Sequence, residues 1–137
     1  MTTLAPILQS FFTDRLLHQR QASPHTIATY RDAIRLLVVY AADQTAKAPS
    51  VMDIADLDAP LIGAFLNHLE ASRKNSVRTR NARLAAVHSL FRHAALRRPD
   101  DAAVIQRVLA IPPKRFDRAL VMDFDSTDGT PDILASD

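Results

Sequence analysis

Apolar residues return every three or four positions through five separate stretches of this chain, and the stretches are bounded by capping residues and prolines. That spacing lines one side of a helix with core residues, and no alternating apolar pattern persists long enough to suggest a sheet. The predicted fold class is therefore all-α, a compact bundle of four to five helices. The first helix is predicted from Thr3 to about Gln19, with Leu4, Ile7, Leu8, Phe11, Phe12 and Leu16 on its apolar side. The second opens at Ser23-Pro24, an N-cap followed by a proline at the first helical position, and aligns Ile27, Tyr30, Ile34, Leu37, Val38 and Ala41. A loop is expected from about Asp43 to Leu57, around Pro49. Asp58 then caps a third helix with Pro60 just inside, burying Leu61, Ile62, Phe65, Leu66 and Leu69. The fourth, from Ser76 to about Leu96, buries Val77, Leu84, Val87, Phe91, Ala94 and Ala95. A shorter fifth helix begins near Pro99, carries Val104, Ile105, Val108 and Leu109, and is stopped by Pro112-Pro113.

Charge divides the 137 residues into two regions. Residues 1–116 hold 16 Lys/Arg against nine Asp/Glu, a balance of +7, whereas residues 117–137 hold one Arg against six Asp, a balance of −5. The expected organisation is a helical domain over 1–116 and an acidic, disordered tail over 117–137. Within the basic part, Arg73 to Arg98 carries eight Lys/Arg and no acid. Ser76 caps a helix inside that stretch, yet Arg78 and Arg80 sit where a helix start normally prefers carboxylates. Each such charge costs about 0.3–1 kcal/mol at low salt unless an outside anion completes the site, and phosphate is the natural one.

The apolar stripe of the fourth helix should leave Arg78, Thr79, Ala82, Arg83, Ala86, Ser89 and His93 facing outward. Small residues there let a helix approach another surface closely, and Arg and Thr at its start can reach phosphates or base edges. The second helix should present His25, Ala28, Thr29, Asp32 and Arg35, with no acid in its first turn. The competing interpretation is a solvated helix face rich in Arg and Ala.

Ser23-Pro24-His25-Thr26-Ile27-Ala28-Thr29-Tyr30 resembles the opening of the core-binding, SAM-like domain of tyrosine recombinases, the phage integrase family, where a Ser-x-x-Thr-x-x-x-Tyr pattern starts a helix. Residues 75–92 resemble the same domain's later helix, and residues 105–116 the segment leading into its catalytic domain. The resemblance covers roughly Leu4 to Leu120. It implies a helical half-clamp on duplex DNA, in proteins that carry out DNA integration and recombination. Carried over by position, the DNA contacts fall on His25, Thr26, Thr29, Arg78, Thr79 and Arg83, with Lys74 and Arg80 as backbone contacts. Thr26 lies beside the core stripe. Arg92, Arg97 and Arg98 are expected to be solvated charges.

The family's catalytic arginines and nucleophilic tyrosine belong to a downstream domain that this sequence does not match. Tyr30 falls on a core stripe, and neither Tyr30 nor Tyr40 matches the nucleophile's motif. Residues 122–131 are acidic and breaker-rich where the family continues into its catalytic domain, which suggests a frameshifted or truncated reading frame. The chain alone is thus expected to be no enzyme, to use no cofactor or metal, to bind double-stranded DNA, and to be a monomer in the absence of DNA. The alternative is a protein-interaction module or inert remnant that modulates a full-length recombinase. His88 and His93, five apart, point away from each other on a helix and do not suit one metal. No cysteine, signal peptide or apolar run of membrane length is present, so a cytoplasmic location is expected and no membrane partner.

Overall fold

Ser23, Asp58 and Ser76 start helices through their own side chains. Ser23 Oγ accepts from the Thr26 N–H at 3.1 Å, Asp58 Oδ1 from Leu61 N–H at 3.0 Å and Ser76 Oγ from Thr79 N–H at 3.1 Å. The computed structural model describes residues 3–19, 21 and 23–115. The predicted acidic tail falls outside the described residues.

Among the described residues five α-helices follow in order: α1 (Leu4–Ser10), α2 (Pro24–Thr45), α3 (Ala59–Ala71), α4 (Val77–Arg97) and α5 (Ala102–Leu109). α1 continues as a π-helical segment, Phe11–Gln19, and three 3₁₀ turns occupy Pro49–Val51, Ile54–Asp56 and Pro99–Asp101. No strand occurs among the described residues. The wider π turn explains the spacing of the first stripe: Leu4, Ile7 and Phe11 are buried at ordinary helical intervals, and the next fully buried residue is Leu16, five positions on.

One core joins the five α-helices, the π-helical segment and the 3₁₀ turn at Ile54–Asp56. Phe11, Phe65 and Phe91 are its largest fully buried side chains, surrounded by Leu37 and Ala41 of α2, Leu66 and Leu69 of α3, Val87 and Leu90 of α4, and Ile105 and Val108 of α5. Tyr30 is half-buried and lies parallel to Phe11 with ring centroids 6.4 Å apart. It is a packing residue, in line with its place on the stripe.

Two expectations need correction. Residues 43–57 are more than a loop: α2 runs on to Thr45, and two 3₁₀ turns bring Met52, Ile54 and Leu57 into the core. Asp53 and Asp56 build a capping box there, with the Asp53 N–H donating to Asp56 Oδ2 at 2.9 Å and the Ile54 N–H to Asp53 Oδ1 at 2.7 Å. Second, the outward face of α4 does not extend to Ala86, Ser89 and His93, which are all buried. α4 packs against α1, the π segment, α2, α3 and α5 at once, so its second half is enclosed on most sides. The exposed positions are Arg78, Ala82, Ala85, Arg92, Leu96 and Arg97.

Candidate nucleic-acid interface

α2 and α4 begin alike. Ser23-Pro24-His25-Thr26 and Ser76-Val77-Arg78-Thr79 each place a capping Ser first, a basic or titratable residue third and a Thr fourth. In both, the Ser hydroxyl also donates to the Thr hydroxyl, at 3.0 Å and 3.1 Å. A capping box would put Glu or Gln where Thr26 and Thr79 stand. Hydroxyls there leave both helix starts without a carboxylate in the first turn, so the positive end of each dipole is not cancelled locally.

The predicted contact residues divide by exposure. His25, Thr29, Lys74 and Arg78 are exposed, and Thr26 and Thr79 are half-buried and tied into their caps. Lys74 sits in the turn between α3 and α4 with a left-handed backbone, φ 59°. The Asn75 N–H that follows reaches back to the Leu69 carbonyl at 2.9 Å.

The remaining two are held from within. Arg80, whose side chain is only 12% exposed, lies 3.0 Å from Glu70 of α3. Arg83, 20% exposed, lies 4.0 Å from Asp32 of α2. Asp32 also accepts from Arg35 at 2.9 Å. That hydrogen bond, helped by the positive charges of Arg35, Arg83 and Arg73, holds its carboxyl below the usual carboxylate range against the pull of burial. The outer side of α2 and the start of α4 are thus neighbours, joined through Asp32.

The acid-free stretch is therefore less one-signed in space than in sequence. Arg97 meets Asp14 at 3.6 Å, and Arg98 is enclosed between Asp53 at 2.8 Å and Asp101 at 2.9 Å. Arg98 is not a solvated charge: its side chain is 17% exposed and it raises no free positive patch. Asp14 and Asp53 are far from these arginines in sequence, so nothing local announced them, whereas Asp101 follows Arg98 by three residues. The Asp32–Arg35 pair was readable from its three-residue spacing.

The histidines of α4 are structural. The His88 ring nitrogen Nε2 is 3.0 Å from the Val108 carbonyl of α5, and His93 Nε2 is 2.8 Å from Ser10 Oγ. Burial first, then neighbouring arginines, push the His93 imidazole below its ordinary range, and burial does the same to His88. No group of three potential metal ligands exists among the described residues. No helix there is long and apolar enough to cross a membrane.

Residues 10–98 match the family model described as the phage integrase, N-terminal SAM-like domain. Two proteins of Sinorhizobium fredii (strain NBRC 101917 / NGR234), named "Putative integrase/recombinase" y4rC and y4rD, are similar to the chain. The first is 56% identical over 119 residues, covering 87% of this chain and 36% of that protein. The second is 51% identical over 112 residues, covering 82% of this chain and 40% of that protein. The chain thus spans well under half the length of these curated relatives. No solved structure matches it significantly.

Proposed function

The chain belongs to the phage integrase N-terminal SAM-like domain family, and from that premise we propose that it is the duplex-DNA-binding part of a tyrosine-type site-specific recombinase, holding DNA without cleaving it. The observation that carries this reading is the repeated helix start. Two adjacent helices open with a Ser cap, a cationic or titratable side chain and a Thr, and with no acid in the first turn. Such ends accept phosphate oxygens on backbone N–H groups while the flanking side chains add charge and hydrogen bonds.

In this reading Lys74 and Arg78 contact phosphates, His25 and Thr29 face the groove from α2, and Thr26 and Thr79 act chiefly by shaping the caps. Arg83 exchanges Asp32 for phosphate when DNA docks. Arg80 supports the surface from behind through Glu70. Cleavage belongs to a catalytic domain that the longer relatives have room for, and this chain supplies binding alone.

The test is to change Lys74 and Arg78 together to Gln and measure affinity for a duplex across a salt series. Two lost phosphate contacts flatten the log–log salt slope by about two. Unchanged affinity and slope in a folded variant would sink the assignment of this surface.

A further inference from the structure

Asn81 binds backbone of the segment that follows α5. Its Nδ2 donates to the Lys114 carbonyl at 2.8 Å and its Oδ1 accepts from the Lys114 N–H at 2.8 Å. These are the two bonds a neighbouring β-strand would make to an extended residue. Lys114 Nζ meanwhile reaches Glu70 Oε2 at 3.0 Å, and Glu70 Oε1 lies 3.0 Å from Arg80 Nε. Arg80 Nη1 closes the ring by donating to Asn81 Oδ1 at 3.3 Å.

The local sequence makes Lys114 the residue on which such a latch can act. Ile111 N–H is used at the end of α5, donating to Val108 at 3.1 Å. Pro112 and Pro113 have no N–H, so Lys114 carries the first available donor beyond the helix. An exposed segment leaving a domain ordinarily frays. Here it is held between α3 and α4, one helical turn from Arg78.

Building on the DNA-binding reading, we infer that Asn81 is a positioning residue: with Glu70 it latches residues 111–115 beside the start of α4, so that Arg115 joins the phosphate-contacting edge. Asn81 itself contributes no charge. Its effect on DNA runs through the segment it holds.

Asn81→Ala tests this without altering charge. Amide hydrogen exchange reads the latch directly: the Lys114 N–H should exchange at least about tenfold faster in the variant, the factor that a loss of about 1.4 kcal/mol of local protection produces. The core amide of Val87 should stay protected and so report an intact fold. Trypsin gives a second readout, because it needs both the side chain and the carbonyl of the residue it cleaves after. Cleavage after Lys114, relative to Arg115, should rise when Asn81 is lost. If Asn81→Ala disturbs the core, Asn81→Gln displaces the carboxamide by one methylene and serves instead.

The DNA arm follows the same variant by fluorescence anisotropy on a duplex. Affinity should fall about threefold or more near 0.1 M salt and the salt slope should flatten by about one. In an Arg115→Gln background Asn81→Ala should have no further effect. Unchanged Lys114 exchange overturns the latch. Faster exchange with unchanged DNA affinity, or a full effect that persists in the Arg115→Gln background, overturns the positioning role. If the unaltered chain binds no duplex even at low salt, the DNA-binding reading fails and takes the positioning role with it, while the exchange result still decides the latch.

Discussion

Arg98 sits between two carboxylates that reach it from different parts of the chain, Asp53 and Asp101. Asp53's carboxyl is held below its usual range chiefly by the Arg98 hydrogen bond, and Arg98 in turn is held above its own. Asp53 is also the first residue of the capping box, so the pair ties the end of α4 to the 43–57 connection. Arg98→Ala leaves two largely enclosed carboxylates unpaired and should lower stability by about 1–3 kcal/mol in urea unfolding. Arg92→Ala, an exposed change on the same helix, should stay within about 0.5 kcal/mol. Equal effects of the two would contradict the clamp. His93 gives a pH signature. With folded-state values lowered below the ordinary 6.5, His93 and His88 bind fewer protons folded than unfolded. The stability they allow is complete above about pH 6.5 and is lost as pH falls through the lowered values. Melting temperature should therefore be level from pH 8 to about 6.5 and decline toward pH 5, and His93→Gln should make the decline shallower. A melting temperature that rises on acidification would refute the assignment. Lys74 carries a left-handed backbone that glycine adopts at no steric cost. Lys74→Gly should keep or raise stability, by up to about 1 kcal/mol, while weakening DNA binding. A loss of stability would show that the lysine side chain is needed for the turn.

At the level of elements, the helix starts were legible because caps are local. Ser23-Pro24, Asp58-Ala59-Pro60 and Ser76 each fix a boundary within four residues, and all three side chains bond as their positions require. Ser23→Ala and Ser76→Ala should each cost about 0.5–2 kcal/mol by equilibrium unfolding. A cost confined to tenths would mean that packing alone sets these boundaries. The stripes of α2 and α3 were legible too, since each has one solvent side. The spacing predicts α4 to be another one-sided helix, and its second half is not one. Ser89 and His93 look polar in sequence, yet His93 is buried by α1 and the π segment, with Ser10 as its partner and Phe11 against its ring at 5.8 Å. Periodicity reports which side of a helix is apolar; it does not report how many neighbours a central helix has. The capping box in the connection had a readable Asp53-x-x-Asp56 signature, short of the Ser/Thr and Glu/Gln of the usual form.

Across the whole molecule, the basic stretch serves two ends that sequence could not separate. Arg80, Arg97 and Arg98 are drawn into ion pairs with Glu70, Asp14 and Asp53, which close the bundle on itself. Lys74, Arg78 and the outer side of α2 remain on the surface where the two similar helix starts meet it. Choosing between contact and scaffold required the partners, and those lie on other elements. Lys74 and Arg78, exposed at the start of α4, are the cations through which DNA binding is proposed to act. Fluorescence anisotropy of the intact chain on random-sequence duplex, from low to physiological salt, measures that binding most directly. With about four phosphates neutralised, by Lys74, Arg78, Arg83 and Arg115, log affinity should fall against log salt with a slope of about −3.6. A folded chain that shows no binding at low salt, or binding indifferent to salt, would contradict the account and favour a protein-interaction role for the same helices.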